Sequence, residues 1–512
     1  MLARVYSSSV LGIDPYIVEV EVNIEYQAFR YTTVGLPEAA VRESKERVIS
    51  AIKNSGFRFP PKNYTVNLAP ADVKKEGSAF DLAIAVGILA ALGYVDYQKL
   101  QKFVMLGELA LDGTLRDVKG ALPISVGVRE SEYGGLILPA QNAREAAITN
   151  DVEVIPVHNL LEAVQFLNNQ LDIPPMVVDV EALFAEKQNY ALDFLDVKGQ
   201  SHVKRALEVA AAGGHNVIMI GPPGSGKTML AKRFASILPQ LTLDEALETT
   251  KIHSVAGVAN TSNGIVATRP YRAPHHTISD AALVGGGRIP RPGEVSLAHH
   301  GVLFLDELPE FQKNVLEVLR QPLENSEVTI SRATLSLTYP ANFILIAAMN
   351  PCPCGYLTDP KHECTCSSPY IQKYMARISG PLLDRIDIHI EVPAISFDEL
   401  SSKEQGESSE MIRERVQRAR DRQHARFEHR KNLFANADMA PKDIRTICRL
   451  DSASAALLKT ATEQLGLSAR AYDRILKVSR TIADLSEDEN IKVEHLSEAV
   501  QYRSLDRQLW MA

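Results

Sequence analysis

The chain has 512 residues, 45% of them hydrophobic, and it carries a formal net charge of −8 with a sequence pI near 6.0. This length predicts about three domains, each with enough apolar surface for a core, and the negative total excludes a uniformly basic surface for nucleic acid, so any such surface must be a local patch or an inner ring. The longest apolar run, Leu82 to Val95, is too short to span a bilayer, and the N-terminus has no long apolar segment, which predicts a cytoplasmic protein without membrane contact.

Residues 1–170 have the residue patterns of an α/β domain. Segments with strand or helix periodicity follow one another here, at Tyr16–Ile24, Val41–Lys53, Tyr64–Leu68, the Leu82 run, Gly135–Pro139 and Val152–Pro156. The next segment, residues 171–191, contains Pro174 and Pro175 and shows no clear period, which is typical of a linker. We therefore expect the first 170 residues to form a separate domain.

Gly221 to Thr228 has the complete pattern of a phosphate-binding loop. It follows an apolar run and precedes Met229–Leu238, where apolar residues recur at helical spacing. Its glycines let successive amides turn inward, and the helix N-terminus favours an anion, so the loop is expected to bind ATP. Lys227 would reach the β- and γ-phosphates, and the Thr228 hydroxyl would hold Mg²⁺. The predicted nucleotide contacts in this loop are Gly221, Pro222, Pro223, Gly224, Ser225, Gly226, Lys227 and Thr228.

A long segment that a minimal nucleotide-binding fold does not need follows, at residues 251–294. It is rich in proline, arginine and histidine and includes Arg269 and Arg272. A merely solvated loop is the alternative, but a long irregular insertion inside a compact domain usually has a function. The sequence therefore favours a shaped cationic segment.

Two apolar runs end on polar residues, as strands of a nucleotide-binding sheet do. Gly301–Glu307 has the Walker B pattern, in which Asp306 would complete the Mg²⁺ shell through water and Glu307 would orient the attacking water. Asn342–Asn350 ends on Asn350, which fits a sensor that hydrogen-bonds the γ-phosphate or its water. The sequence thus predicts a catalytic edge built from both strands.

Between these runs, residues 326–337 alternate on both sides of Ser331-Arg332-Ala333. Alternation around a short polar turn predicts a β-hairpin. Arg332 would then lie at its tip.

Four of the five cysteines form the pattern C-x-C-x9-C-x-C, at Cys352, Cys354, Cys364 and Cys366. Four thiolates this close together could form a tetrahedral zinc site. The alternative is a reduced loop stiffened by prolines, because C-x-C is less usual for zinc than C-x2-C.

The chain resembles the ComM/YifB family of magnesium-chelatase-like AAA+ proteins. The N-terminal resemblance is carried by Val34–Pro37, Lys74–Leu82 and Gly107–Gly120. It implies an α/β class of fold, with a Lon-protease-like (ribosomal protein S5 domain 2-like) domain before an AAA+ P-loop NTPase core and a C-terminal helical lid. The implied boundaries are 1–170 for the Lon-like domain, 171–191 for the linker, 192–395 for the core with its pore hairpins and 396–512 for the lid.

A Lon-like domain raises the question of peptidase activity, since Lon proteases use a serine nucleophile and a lysine base. In the matching register, Ala79 stands in the nucleophile position, and Ser78 is one place away. The base position falls near Leu122, three residues beyond Lys119. We therefore expect a scaffold or binding module without peptidase activity.

The family resemblance also implies roles for residues outside the two nucleotide motifs. Residues 196–210 resemble the turn and helix that surround adenine in AAA+ proteins, which makes Gln200 a candidate base contact. Arg385 matches the arginine finger that reaches a neighbouring subunit's γ-phosphate. Arg470 matches the second sensor, although Arg474, one turn further along the same face, is an alternative.

The function implied by the resemblance is an ATP-driven ring motor on DNA, of the branch-migration helicase or translocase type that supports recombination in natural transformation. The expected assembly is a nucleotide-dependent homohexamer acting on branched or single-stranded DNA, with Arg332, Arg269 and Arg272 as DNA contacts. An ATPase that remodels a protein partner, as a magnesium chelatase subunit does, is the alternative. The cofactors would be ATP and Mg²⁺, with Zn²⁺ if the cysteines bind metal.

Overall fold

The structure is a computed structural model. It describes every residue of the chain except positions 27, 38, 72, 74, 76, 181–189, 259–264, 288–289, 333–334, 358, 360–361, 396–405, 429, 431–432 and 504–512. The chain divides into two compact units, of which unit 1 comprises Met1–Lys187 with Ala246–Ala267 and unit 2 comprises Gln188–Glu245 with Thr268–Ala512.

Unit 1 is built from nine strands and six helices among its described residues before position 188, along with part of a helix from residues 246–267. The strands are β1 Leu2–Leu11, β2 Asp14–Glu25, β3 Arg30–Val34, β4 Asn63–Ala69, β5 Phe103–Met105, β6 Glu108–Leu109, β7 Leu115–Arg116, β8 Gly135–Pro139 and β9 Glu153–Val157. The helices are α1 Ala39–Asn54, α2 Asp81–Ala91, α3 Tyr97–Leu100, α4 Ala121–Arg129, α5 Ala140–Ala146 and α6 Leu160–Leu167.

A seven-stranded mixed sheet organises unit 1, in the order β3-β4-β2-β1-β5-β8-β9. The alternation along β2 that predicted a strand is observed as alternating burial, with Val18, Val20 and Val22 fully covered. The predicted buried helix is α2, all 11 residues of which are buried. It ends before Val95 because the chain turns at Gly93, whose φ of 86° favours glycine.

Unit 2 contains the nucleotide motifs. Its strands are β10 Val217–Ile220, β11 Tyr271–Arg272, β12 Gly285–Gly286, β13 Arg291–Pro292, β14 Val302–Leu305, β15 Glu327–Arg332, β16 Leu335–Pro340, β17 Ile344–Met349 and β18 Ile388–Glu391. Its helices, of which α9 spans the division between the units, are α7 Ser201–Gly213, α8 Lys227–Ile237, α9 Leu243–Ala256, α10 Asp280–Val284, α11 Glu294–Leu297, α12 Lys313–Val318, α13 Arg320–Asn325, α14 Ser368–Met375, α15 Gly380–Leu383, α16 Ser409–Phe427, α17 Pro441–Ile447, α18 Ser452–Leu465, α19 Ala469–Leu485 and α20 Val493–Gln501.

Five parallel strands form the main sheet of unit 2, in the order β11-β14-β17-β10-β18. The apolar runs that precede the phosphate-binding loop and the Walker B residues are β10 and β14, and β17 lies between them. Because carboxyl ends of parallel strands meet at one edge, the polar residues that follow these three strands converge there. The α/β class with a parallel sheet is thus confirmed.

The C-terminal helices share an apolar core with this sheet. One cluster of buried residues includes Val217 from β10, Val416 from α16 and Ile482 from α19. The residue contacts therefore group residues 409–503 with the sheet in unit 2. Across the described part of the chain, no helix combines the length and apolar character needed to cross a bilayer.

The predicted hairpin is present as β15 and β16, which pair antiparallel from Glu327 with Pro340 to Arg332 with Leu335. The turn at 333–334 and the Arg332 side chain lie outside the described residues. A second, shorter antiparallel pair, β12 with β13, lies in the segment predicted at 251–294. That segment is divided, since residues up to Ala267 belong to unit 1 and those from Thr268 to unit 2.

Candidate functional site

The phosphate-binding loop connects β10 to α8 in the order that its motif predicts. Gly224 and Gly226 have φ of 77° and 88°, a left-handed conformation that a side chain would strain. Gly226 directly precedes the first turn of α8, so the loop amides and the helix N-terminus face the same side. The local sequence therefore folds into an anion-binding loop.

Lys227 is the buried cation of this loop. Its Nζ donates to the carbonyl oxygens of Gly221 at 2.7 Å and Pro222 at 2.8 Å, and to Oδ1 of Asn350 at 3.3 Å. Burial lowers the pKa of Lys227 to about 8, although Asp306 opposes this shift. The ammonium group therefore links the loop to the residue that follows β17.

Thr228 and Asp306 come together as the Mg²⁺ prediction requires. The Thr228 hydroxyl donates to Oδ2 of Asp306 at 2.7 Å, and the other carboxylate oxygen accepts the Glu307 amide at 3.0 Å. A hydroxyl and a carboxylate are hard oxygen donors of the kind that Mg²⁺ prefers, with space left for waters and phosphate oxygens in its shell. The two residues fit that ion.

Glu307 has a partner that sequence reasoning missed. Its Oε2 lies 3.3 Å from Nδ1 of His276, and the His276 ring packs 4.1 Å from that of His275. Glu307 is 60% exposed at its side chain and has a positive φ of 53°, a strained conformation often found at functional sites. The adjacent histidines were the available signal, but sequence alone gave them only a general cationic role.

Gln200 contacts the back of the loop. Its side-chain amide donates to the carbonyl oxygens of Ser225 at 2.9 Å and Pro393 at 3.1 Å, and it is 6% exposed. The structure thus places this side chain in the support of the phosphate loop, where the sequence predicted a base contact.

Arg385, the predicted arginine finger, is buried within its own subunit. It is 4% exposed, donates to the Pro381 carbonyl oxygen and pairs with Glu324. Burial, with the nearby Arg320 and Arg470, lowers its pKa. The side chain therefore has an internal carboxylate partner in the single subunit.

Arg470 and Arg474, the two candidates for the second sensor, have different environments. Arg474 pairs with the buried Asp387, which also accepts the Asn216 amide at 3.0 Å. Burial disfavours the charge of Asp387, but Arg474 and His215 outweigh it and hold the carboxyl pKa well below its usual range. Arg470 is 60% exposed, and its NH1 lies 3.8 Å from Asp384. Arg474 thus neutralises a buried carboxylate, whereas the Arg470 side chain is accessible to solvent.

Comparison with known proteins is consistent along the whole chain. Residues 193–400 match the family model of magnesium chelatase subunit ChlI, residues 20–142 that of subunit ChlI of Mg-chelatase, and residues 406–503 that of the ChlI C-terminal region. The chain is 47% identical to competence protein ComM of Haemophilus influenzae, over 99% of this chain and 98% of the relative. It is 43% identical to the uncharacterized protein YifB of Escherichia coli, over the same shares.

The chain belongs to the ComM/YifB family. A shorter match, 29% identical over 31% of this chain and 23% of the relative, is to the magnesium-chelatase 67 kDa subunit of Chlorobaculum parvum. Membership in this magnesium-chelatase-like AAA+ family implies ATPase activity and suggests ATP and Mg²⁺ as ligands. The loop, Lys227, Thr228 and Asp306 fit both.

The predicted DNA contacts have different settings in this ComM/YifB protein. Arg269 is 10% exposed at its side chain, donates to the His300 carbonyl oxygen at 2.8 Å and pairs with Glu245 at 3.2 Å. Its charge thus has partners inside unit 2, and its predicted contact with DNA stays a prediction. Arg272 pairs with Glu294 through two bonds of 2.6 and 2.7 Å. Arg332 lies at the end of β15, and its side chain is outside the described residues.

The four-cysteine pattern of this chain folds into a compact cluster. Sγ of Cys352 lies 3.3 Å from that of Cys354 and 3.7 Å from that of Cys364, and Cys354 and Cys364 are 3.6 Å apart. Cys366 completes a group whose four sulphur atoms lie within 4.8 Å of one another. The sequence pattern predicted this proximity.

The peptidase positions in unit 1 carry no serine–lysine pair at the matching register. The Ser78 hydroxyl donates to the Glu108 carboxylate, and buried Leu122 lies near the base position. Lys75 is fully buried, with Nζ donating to the Val73 carbonyl oxygen at 2.8 Å. The expected absence of peptidase activity stays a prediction.

Proposed function

We propose that this protein is an ATP-driven ring motor on DNA, a branch-migration helicase or translocase of the ComM type that supports recombination in natural transformation. The observation that carries the ATPase part is the convergence of Lys227, the Thr228–Asp306 pair and Glu307 at one edge of the parallel sheet. The name of its ComM relative, a competence protein, supports the DNA part.

The residues at this edge of the sheet would have separate roles in ATP hydrolysis. ATP with Mg²⁺ would supply the transferable phosphoryl group and a cation that neutralises its charge. Lys227 and the loop amides would bind phosphate oxygens, while Thr228 and Asp306 would hold the metal. Glu307 would orient the attacking water, and Asn350, bonded to Lys227, would contact the γ-phosphate or that water. Gln200 would keep the loop carbonyls in place.

The catalytic site is proposed to be completed by a neighbouring subunit in a nucleotide-dependent homohexamer. Arg385 would leave Glu324 and contact the neighbour's γ-phosphate, and exposed Arg470 would contact phosphate as the second sensor. In this proposal residues 1–170 form a Lon-like domain, 171–191 a linker, 192–395 the AAA+ core and 396–512 the helical lid.

DNA would lie in the ring pore against the β15–β16 hairpin. An acidic chain can hold DNA only where cations are concentrated, and six copies of Arg332 would provide such a ring. Arg272, paired with Glu294, is a secondary candidate.

The decisive experiment measures ATPase rate and strand movement with and without branched DNA. We expect stimulation that falls steeply with salt. Arg332→Ala should lose the stimulation and keep basal hydrolysis, while the control Lys459→Ala, at a lysine 77% exposed on α18, should match the parent. A parent enzyme that hydrolyses ATP but does not respond to DNA would favour remodelling of a protein partner instead.

A further inference from the structure

We propose that the four-cysteine cluster binds one zinc ion and that this centre holds the phosphate-binding loop in the shape that nucleotide requires. The proposal rests on the nucleotide site of the proposed function, but not on DNA as the substrate. Nothing in the family comparisons assigns a metal to these cysteines. Two independent features support this proposal. They are the spacing of the sulphur atoms and the packing of the cysteine loop, residues 352–366, against the phosphate-binding loop.

The sulphur atoms are spaced as zinc ligands. Zinc–sulphur bonds of about 2.3 Å in a tetrahedron place neighbouring sulphurs roughly 3.8 Å apart. The observed separations among Cys352, Cys354 and Cys364 are 3.3, 3.7 and 3.6 Å. They are far longer than a disulfide bond of about 2.05 Å, and all five cysteines of the chain are free. Four thiolates without oxygen or nitrogen ligands suit zinc better than magnesium or calcium.

The cysteine loop contacts the phosphate loop at one point of very close approach. Gly355 follows Cys354 and has a φ of 87°, and a Cβ added there would lie 2.5 Å from Cδ of Pro223. The Gly355 amide also donates to the Cys352 carbonyl oxygen at 2.9 Å. Pro223 is thus packed against the turn that carries two of the four sulphurs.

The chain itself supplies a second connection. Cys352 comes two residues after Asn350, whose side chain accepts from Lys227 at 3.3 Å. A metal bound to Cys352 would therefore restrain two residues near Lys227. It would restrain Asn350, which accepts from the Lys227 ammonium group, and Pro223, which packs against Gly355. Zinc ligation closes the turn covalently, so its loss would release both supports.

The test combines metal analysis with nucleotide affinity on the full-length protein. Purified parent should contain about one zinc per chain by elemental analysis. Cys364→Ser, in the second Cys-x-Cys pair, should lose the zinc and weaken binding of a fluorescent ADP analogue by about tenfold. Gly355→Ala should keep the zinc and weaken ADP binding to a similar degree. Cys448→Ser, at a buried cysteine outside the cluster, should change neither quantity.

A reversible measurement on the parent avoids variants that fold poorly. Stripping with a mercurial thiol reagent and a chelator, followed by thiol and zinc, should lower and then restore ADP affinity. Substoichiometric zinc in the parent, or another metal in its place, would overturn the metal assignment. Unchanged ADP affinity in zinc-free protein would overturn the support of the loop. Failure of DNA to stimulate ATPase would leave both results standing and count only against the proposed motor.

Discussion

At the scale of single residues, Lys227 and Glu307 lie in different environments at the same edge of the sheet. Lys227 is buried and bonded within the loop, whereas the Glu307 side chain is largely exposed and its carboxylate lies beside His276. In the proposed mechanism Lys227 would hold phosphate and Glu307 would organise water, so their loss should have different consequences.

Lys227→Ala should abolish ATP binding, because the loop loses the cation that neutralises the phosphates. Glu307→Gln should keep binding and lower kcat by about 10²- to 10⁴-fold, since an amide cannot polarise water as a carboxylate does. Equilibrium binding and steady-state ATPase measure the two effects. Glu310→Gln, three residues beyond Glu307 and paired with Arg377, is the matched control and should behave like the parent. Parental hydrolysis by Glu307→Gln would make the Walker B assignment wrong.

The pH dependence of ATP affinity should report the buried ammonium group. Burial lowers the pKa of Lys227 to about 8, so the free protein loses this positive charge as pH rises through that value. Phosphate binds the charged form, and the Kd for ATP should therefore rise above pH 8, approaching about tenfold per pH unit. Titrations between roughly pH 7 and 9.5 measure this rise. Lys227→Arg should remove it, because guanidinium stays charged there. A flat parental profile would contradict the prediction.

At the scale of elements, two of the three arginines of helix α19, Arg470 and Arg474, lie one turn apart in different environments. Arg474→Ala would leave the buried Asp387 carboxylate without its main ion-pair partner and should destabilise the fold by about 3–5 kcal/mol. Arg470→Ala removes an exposed side chain and should leave stability unchanged while lowering ATPase by about tenfold or more. Thermal unfolding and kcat distinguish the two. The reverse pattern would make Arg474 the second sensor.

Elements that are determined by neighbouring residues in the chain were predictable from the sequence. β10 with its loop and α8, and β14 with Asp306 and Glu307, follow from an apolar run beside a motif, and both appear where the residues predict them. The β15–β16 hairpin follows from alternation alone.

Partner choice was less predictable, because it depends on which elements the fold brings together. His276 reaches Glu307 because the sheet places β11 beside β14, with Tyr271 opposite Val302. In the sequence, Arg269 belongs to a segment predicted only to be cationic, and in the structure it forms an ion pair with Glu245, which lies 24 residues earlier in the chain. No local pattern in the sequence predicted that residues 246–267 belong to unit 1.

At the scale of the whole molecule, a site shared between subunits makes a prediction that a single-subunit site does not. Mixing Arg385→Ala subunits with Lys227→Ala subunits should recover part of the ATPase that neither has alone, since some interfaces would combine an intact loop with an intact finger. Mixing Glu307→Gln with Lys227→Ala is the control and should recover nothing, because both changes affect residues of one subunit's own site. ATPase after confirmed mixed assembly gives the answer, and equal rates in both mixtures would contradict a shared site.

The divided course of the chain has a consequence for biosynthesis. Residues 246–267 belong to unit 1, where the Ser254 hydroxyl donates to buried Glu145 at 2.5 Å, yet they are encoded after the phosphate-binding loop. A nascent chain cannot finish unit 1 until residue 267 has left the ribosome, by which time α8 of unit 2 is already outside. Unit 1 therefore cannot be completed before part of unit 2 has been synthesised, and a gene truncated to begin at residue 188 would yield a polypeptide that carries residues 246–267 without the rest of unit 1.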